Sequence, residues 1–461
     1  MTLAPVVLDN GTGSIKCGCA GVSPLPLIIC PTVIGRPSVD AYTLNILHSS
    51  KDGSTHLDAD RIHRAQLLQK EFICRDELYG LRATADMSFP IKNGVIQNMD
   101  AMRELWDYML CQRLPQMVGT SAGSVSAIPR TKREDASAGL NSGLEWLEDR
   151  LLLLTQPPNL SAKQRGDIME VFFEEYHFKA IQATPQGILA LFANGAEHGV
   201  VVECGEGLTH CTPIFDGIVL TTAQRRLDLG GRDVTNRVKR LLCGHQGGLR
   251  RGAASKNDLL MSSAHAAPHP AVLGGVDDAF RQLKERHCYV SVDPRLDQHL
   301  ARATNALQRT CVLPDGAICR LGAERFTAPE VLFDPSLMDV DSPGISAVLW
   351  ESIEAADVDV RKVLYESIVL SGGSTLFPGF GARLTRDMKE LYLTEKLKGD
   401  MNRMARCPIQ VNEPPRRQYM AYMGGALVAE LSADQPEMWT SLERYQEDGV
   451  SAVVARYQRT A

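Results

Sequence analysis

Val6-Val7-Leu8-Asp9-Asn10-Gly11-Thr12-Gly13-Ser14-Ile15-Lys16-Cys17 decides how this chain is read. A β-branched apolar run ends on an acid and enters a glycine turn, and a more polar strand leaves it. Far downstream Val200-Val201-Val202-Glu203 enters Cys204-Gly205-Glu206-Gly207 and leaves through Leu208-Thr209-His210. The two units repeat one plan: an apolar strand, an acid at its end, two glycines one residue apart, and an outgoing strand. Such self-similarity predicts duplicated halves that face each other.

Helical stretches lie between and after the hairpins. Ser161 and Gln164 form a capping-box pattern that opens a helix burying Ile168, Val171 and Phe172. Pro378 suits the first turn of another, with Phe380, Leu384, Met388 and Leu391 on one face. Strands alternating with helices give an α/β class. Residues 118–143, rich in Ser, Ala and Gly, and residues 243–277, rich in Gly, Ala and His, break the pattern and read as mobile surface loops.

With 461 residues, 44% of them hydrophobic, the chain is long enough for two cores. A net charge of −6 gives no general attraction to nucleic acid or anionic lipid, so neither is an expected partner. The N-terminus reaches Asp9 before an apolar signal region could form, and no apolar run approaches a membrane span. The twelve cysteines include no C-x-x-C pair and read as reduced thiols of a cytoplasmic protein; Cys17 and Cys19 fall on one strand face, a poor metal bite.

Phosphate binding needs converging backbone N–H groups, hence glycines that allow close approach and positive φ. Both hairpins supply the pattern. Asp9 and Glu203, each at a strand end, can hold a divalent cation such as Mg2+ through its water shell, and Lys16 can place a point charge on the phosphates. A Gly-x-Gly after a strand is also an ordinary hairpin turn. Two such units, each with its acid, favour the phosphate reading. A third glycine element, Ile368-Val-Leu-Ser-Gly372-Gly373-Ser374-Thr375, runs from a strand into a helix and suits a base and ribose wall.

Asp-Asn-Gly-Thr-Gly at 9–13, Gly-Glu-Gly-Leu-Thr-His at 205–210, Leu-Asp-Leu-Gly-Gly-Arg-Asp at 227–233 and Leu-Ser-Gly-Gly-Ser-Thr at 370–375 resemble the actin superfamily, in order. The resemblance implies an actin-like ATPase fold: two duplicated α/β domains around a nucleotide cleft that takes ATP and Mg2+. It implies subdomain 1 from 1–31, 90–193 and 420–461, subdomain 2 from 32–89, subdomain 3 from 194–229 and 341–419, and subdomain 4 from 230–340. Carried over by position, Gly11 to Lys16 (Gly11, Thr12, Gly13, Ser14, Ile15, Lys16), Gly205, Glu206 and Gly207 hold phosphates. Arg281, Lys284 and Glu285 line the adenosine side with Gly372, Gly373, Ser374, Thr375, Leu376 and Phe377. Gln186 and His210 match residues that orient the attacking water. Phe192, Ala193, Leu427, Val428 and Leu431 match a groove for activator helices and the next filament subunit. Without the resemblance, Lys284-Glu285 is also a surface pair on a helix, and Leu427, Val428 and Leu431 are also the buried face of one.

Ala355-Ala-Asp-Val-Asp359, Glu390-Leu-Tyr-Leu393, Leu397-Lys-Gly-Asp400, Pro414-Pro-Arg-Arg417 and Tyr445-Gln-Glu-Asp-Gly449 are similar to the actin-related subunit of the branched-filament nucleator rather than to conventional actin. That implies, as partners, a second actin-related protein, the other subunits of the complex, actin itself and activator helices, at the actin-rich cortex. At most a slow ATPase is expected. Glu203 and Glu206 stand where the family has aspartates, Cys204 replaces a serine and Gln418 a lysine. The added methylenes push each carboxylate further into the cleft, which a hydrolysis geometry tolerates less well than binding. Conventional actin, an actin-related subunit of a chromatin-remodelling complex and a sugar-kinase-like phosphotransferase are the competing readings. The last needs a carboxylate base where Gln186 and His210 stand.

Overall fold

The computed structural model describes residues 3–37, 73–74, 85–121, 136–158, 160–243, 270–312 and 318–459. Two mixed sheets form its frame. The first runs, in spatial order, Thr440–Ser441, Ala180–Pro185, Leu151–Gln156, Val6–Asn10, Ser14–Cys19 and Ile28–Pro31. The second runs Ile218–Val219, Thr209–Phe215, Gly199–Cys204, Ile368–Ser371 and Val411–Asn412, with Arg225–Leu227 also paired to Thr209–Phe215. The α/β reading stands.

Each sheet is organised around the same unit. Val6–Asn10 pairs antiparallel with Ser14–Cys19 and parallel with Leu151–Gln156; Gly199–Cys204 pairs antiparallel with Thr209–Phe215 and parallel with Ile368–Ser371. The registers agree as well: Asp9 lies opposite Lys16, and Glu203 opposite His210. Strands covered on both faces need near-continuous apolar sequence, which Val6-Val7-Leu8, Leu151 to Leu154 and Val200 to Val202 supply.

Trp106, Phe172 and Phe173 fill the core against the first sheet, and Phe280 and Phe380 the core against the second. Truncating any of these to alanine would cost about 3–5 kcal/mol. The helix Gln186–Ala193 serves both halves. Its Leu189 packs with Val7 and Leu153 of the first sheet, while Ile188 and Leu191 pack with Val201 and Val369 of the second. Met420–Ser432 lies against it so closely that Gly424 has no room for a Cβ beside the Leu189 carbonyl. Gln186, at the start of this shared helix, is therefore tied to both sheets.

The capping box at Ser161 and Gln164 is present, and Ile168, Val171 and Phe172 are buried. Pro378 does not open its helix, which spans Phe380–Leu391 behind Gly379 at φ +84°; its carbonyl instead accepts from the Val290 amide. The loop reading of 118–143 fails at both flanks, where Leu114–Ser121 and Ala136–Leu147 are helical. Small residues there permit close packing: a Cβ on Gly143 would meet the Cys111 backbone. The far end of 243–277 is likewise helical, within Pro270–His287. The middles of both segments, 122–135 and 244–269, and residues 41–80 apart from Ile73–Cys74, lie outside the described residues. Cys17 and Cys19 sit in the first core, where burial pushes the Cys19 thiol up to about 11. Among the described residues no helix is long and apolar enough to cross a membrane.

Candidate nucleotide cleft

The two glycine turns meet face to face. A Cβ on Gly13 would lie 2.7 Å from the Glu206 Cβ, and one on Gly207 would lie 2.7 Å from the Thr12 Cγ2. At Gly13 and Gly207 glycine is required for close approach, and at none of the four for handedness: Gly11, Gly13, Gly205 and Gly207 all lack positive φ. That corrects the expectation of left-handed turns in the hairpins. Positive φ occurs instead in the third glycine element, at Gly372 (+88°), where a Cβ would also strike the Cys204 backbone. Ser374 Oγ donates to the Gly205 carbonyl at 2.7 Å and fastens that element to the second hairpin.

These elements enclose a cleft of about 750 Å3, large enough for a nucleotide. Asp9, Gly11, Thr12, Gly13, Ser14, Lys16, Gln186, Glu203, Gly205, Glu206, Gly207 and His210 line one end, and Arg281, Lys284, Glu285, Gly372, Gly373, Ser374, Leu376 and Phe377 the other. Two expected residues are absent from the lining. Ile15 points into the first core, and Thr375 is fully buried, donating to the Gly372 carbonyl and receiving Arg417. Gly373, by contrast, has open space where a Cβ would stand.

Asp9 is enclosed and saturated. Lys16 Nζ pairs with its Oδ2 at 2.8 Å, while Thr155 Oγ1 and Gln186 Nε2 donate to Oδ1 at 2.6 and 2.9 Å. Burial alone would raise its pKa, but the Lys16 charge and these hydrogen bonds outweigh it and hold the carboxyl below its ordinary value. Glu203 is the opposite case: its Oε2 lies 3.4 Å from His210 Nε2, and neither atom has a hydrogen-bond partner. His210 Nδ1 and Gln418 Oε1, both on the cleft, are also unpartnered. Unpaired buried polar atoms are costly, about 1–3 kcal/mol each, and a hydrated cation with phosphates would satisfy them. The residues present thus fit Mg2+ and ATP, with Glu203 as the free carboxylate, the Lys16 ammonium beside the turn and glycine backbone around it.

At the other end of the cleft Lys284 is buried and donates to the Gly231 carbonyl at 2.8 Å, with Glu206 Oε2 at 3.3 Å. It is not a surface residue. Glu285, its neighbour, is half exposed and faces Arg281 at 3.7 Å. The residues expected to form a groove divide too: Leu427 and Leu431 are exposed, at 44% and 69%, whereas Val428, Phe192 and Ala193 are partly buried against neighbouring cores. Leu427 and Leu431 are therefore not a buried helix face; that role falls to Tyr422, Gly425, Ala426 and Ala429.

Sequence reasoning missed Thr155, although a hydroxyl ending the run Leu151 to Leu154 repeats the position of Asp9 at the end of its own apolar strand. It missed Phe89 and Arg232 as well, whose ring and guanidinium meet at 4.9 Å beside the cleft.

A family model described as Actin matches residues 2–458. The chain belongs to the actin family. It is 36% identical over 449 residues to Actin-related protein 2 of Saccharomyces cerevisiae, covering 97% of both chains. To Actin-related protein 2 of Drosophila melanogaster it is 36% identical over 448 residues, 97% of this chain and 96% of that one. The protein of the same name in Schizosaccharomyces pombe is 33% identical over 453 residues, 98% of each. The actin-family fold accounts for the duplicated sheets, and the similarity to actin-related protein 2 agrees with the branch read from the later part of the chain.

Proposed function

We propose that this actin-family chain binds Mg·ATP between its two hairpins and works as the actin-related subunit of a branched-filament nucleator. With a second actin-related protein it templates a daughter filament on the side of an existing one, in the cytoskeleton of the cell cortex. The observation that carries the nucleotide half is the facing of Gly13 on Glu206 and of Gly207 on Thr12 around a cleft whose Glu203 and His210 lack partners. The nucleation half is supported by near full-length similarity to actin-related protein 2 and by the exposed pair Leu427 and Leu431.

On this reading 1–31, 90–193 and 420–461 form subdomain 1, with 32–89, 194–229 with 341–419, and 230–340 as the other three. The groove lies on subdomain 1 and takes an activator helix or the next actin subunit, as an apolar i, i+4 pair can. Head-to-tail growth uses a heterologous interface whose two sides must be complementary, whereas a nucleator needs one competent side. The purified chain with ATP and Mg2+ should stay monomeric in sedimentation where actin pellets. With a second actin-related protein, its other subunits and an activator, it should shorten the lag of actin assembly and give branches by fluorescence microscopy. Pelleting of the isolated chain would favour a conventional filament protomer, and assembly without branches a different actin-related complex.

A further inference from the structure

We propose that Thr155 is a positioning residue that fixes which end of the Gln186 amide faces the cleft. This rests on the Mg·ATP reading above. Thr155 ends the strand Leu151–Gln156, is 2% exposed, and is brought to the hairpin by parallel pairing with Val6–Asn10. Its Oγ1 donates to Asp9 Oδ1 at 2.6 Å; Gln186 Nε2 donates to the same oxygen at 2.9 Å and to Thr155 Oγ1 at 3.3 Å.

The chemistry of the three groups allows one orientation. An ionised carboxylate only accepts, so the nitrogen of the amide must face Asp9. A threonine hydroxyl has a single proton, which here goes to Asp9, leaving its oxygen as an acceptor toward Gln186. Both neighbours therefore select the same rotamer, and the reversed amide would set Oε1 against two acceptor oxygens. Gln186 Oε1 is left on the cleft with no protein donor among the described residues. There it can accept from a water molecule. In hydrolysis that water's oxygen bonds to the γ-phosphorus, the bond to the β–γ bridging oxygen breaks, ADP leaves, and the proton ends on the released phosphate. Lys16 already neutralises Asp9 through Oδ2, so charge balance does not require Thr155. What its hydroxyl adds is direction.

The test uses the full-length chain with Mg2+ and γ-labelled ATP under single-turnover conditions, with ATP affinity from a fluorescent analogue. Thr155→Val, which keeps the shape and removes the donor, should slow hydrolysis by about 10- to 100-fold, with affinity unchanged within about two-fold. Thr155→Ser should restore the rate, and in a Gln186→Ala background the valine substitution should add nothing, a coupling that mere destabilisation would not produce. Should the valine variant not fold, Thr155→Cys, a weak donor, carries the test with an intermediate rate expected. A normal rate in Thr155→Val, or an equal loss with and without Gln186, overturns the proposal. So does a wild-type chain that binds ATP without hydrolysing it above background, which leaves the binding reading standing. A wild-type chain that binds no ATP overturns both.

Discussion

Glu203 and His210 are register partners across the second hairpin with their side-chain atoms 3.4 Å apart, in the place where Asp9 and Lys16 of the first hairpin close to 2.8 Å. The duplicated frame thus offers two equivalent strand-end pairs. One is a closed ion pair further tied by Thr155 and Gln186. The other leaves a carboxylate oxygen and an imidazole unpartnered beside the cleft. It is the second pair that can change partners when ligand enters.

Glu203 reaches His210 through a methylene that an aspartate would lack. Glu203→Asp should draw the carboxylate back by about 1.5 Å, release His210, and speed single-turnover hydrolysis by up to about 100-fold while ATP affinity holds. An unchanged or slower rate in the assembled complex would show that the side-chain length is not what limits the chemistry.

Lys16→Ala should weaken ATP binding and also destabilise the free chain by about 3 kcal/mol, because it strands a buried carboxylate. The pH dependence gives the sign. The folded Asp9 value lies below its ordinary 3.8, so the stability this pair supplies is present above 3.8 and is lost as pH falls through the folded value. Protonated Asp9 gains nothing from the ammonium. The gap in melting temperature between wild type and variant should therefore be widest near neutrality and narrow as the pH falls toward that range. A gap that stays constant with pH would mean Lys16 stabilises by packing alone.

Arg226 and Arg232 belong to the second half yet hold the turn at 89–94 that abuts the first. Arg226 Nη2 donates to the Asn93 carbonyl at 3.1 Å, Arg232 lies over the Phe89 ring, and the Gly94 amide donates to Thr12 Oγ1 at 3.0 Å. Opening the cleft between the halves would break the two arginine contacts, while the Gly94 bond keeps the turn on the first half. An exposed cation–π pair is worth about 0.5–1 kcal/mol, so Arg232→Ala should raise the release rate of a fluorescent ATP analogue about two- to five-fold. Stopped-flow displacement reads this directly, and an unaltered release rate would remove the contact from any gating role.

Much of this was legible in the sequence because it is local. The strand, acid and glycine turn at Val6 to Lys16 is specified by alternation and spacing within one hairpin, as is its repeat at Val200 to His210. What escaped is what distant segments bring together. Thr155 reaches Asp9 only through strand pairing across 146 positions of chain. Pro378 looked like a helix start, but its carbonyl is taken by Val290, a partner no local pattern reveals. The Ser, Ala and Gly near 140 looked like loop because small residues bury little area alone; at Gly143 smallness serves close packing on Cys111. Of the two reasons for glycine in the hairpins, close approach holds at Gly13 and Gly207, where the opposite hairpin sets the need, and positive φ does not.

Leu431 gives the cleanest test of the proposed groove. Val428 is half-buried against the core that holds Tyr422 and Trp439, so a charge there would damage folding and binding together. Leu431 is 69% exposed and sits one turn beyond Leu427 on the same helix, so an aspartate there costs the free chain little. In a groove it would bury an unpaired carboxylate against an apolar partner, which at a central contact position costs about 2 kcal/mol or more. Leu431→Asp should therefore keep its melting temperature and ATP affinity within error, yet lose at least about 30-fold in affinity for an amphipathic activator peptide and fail to shorten the lag of actin assembly. Titrating a labelled peptide against wild type and variant separates the outcomes. Equal affinities would mean that activators dock elsewhere, and a lowered melting temperature in step with lost binding would return Leu431 to a structural role.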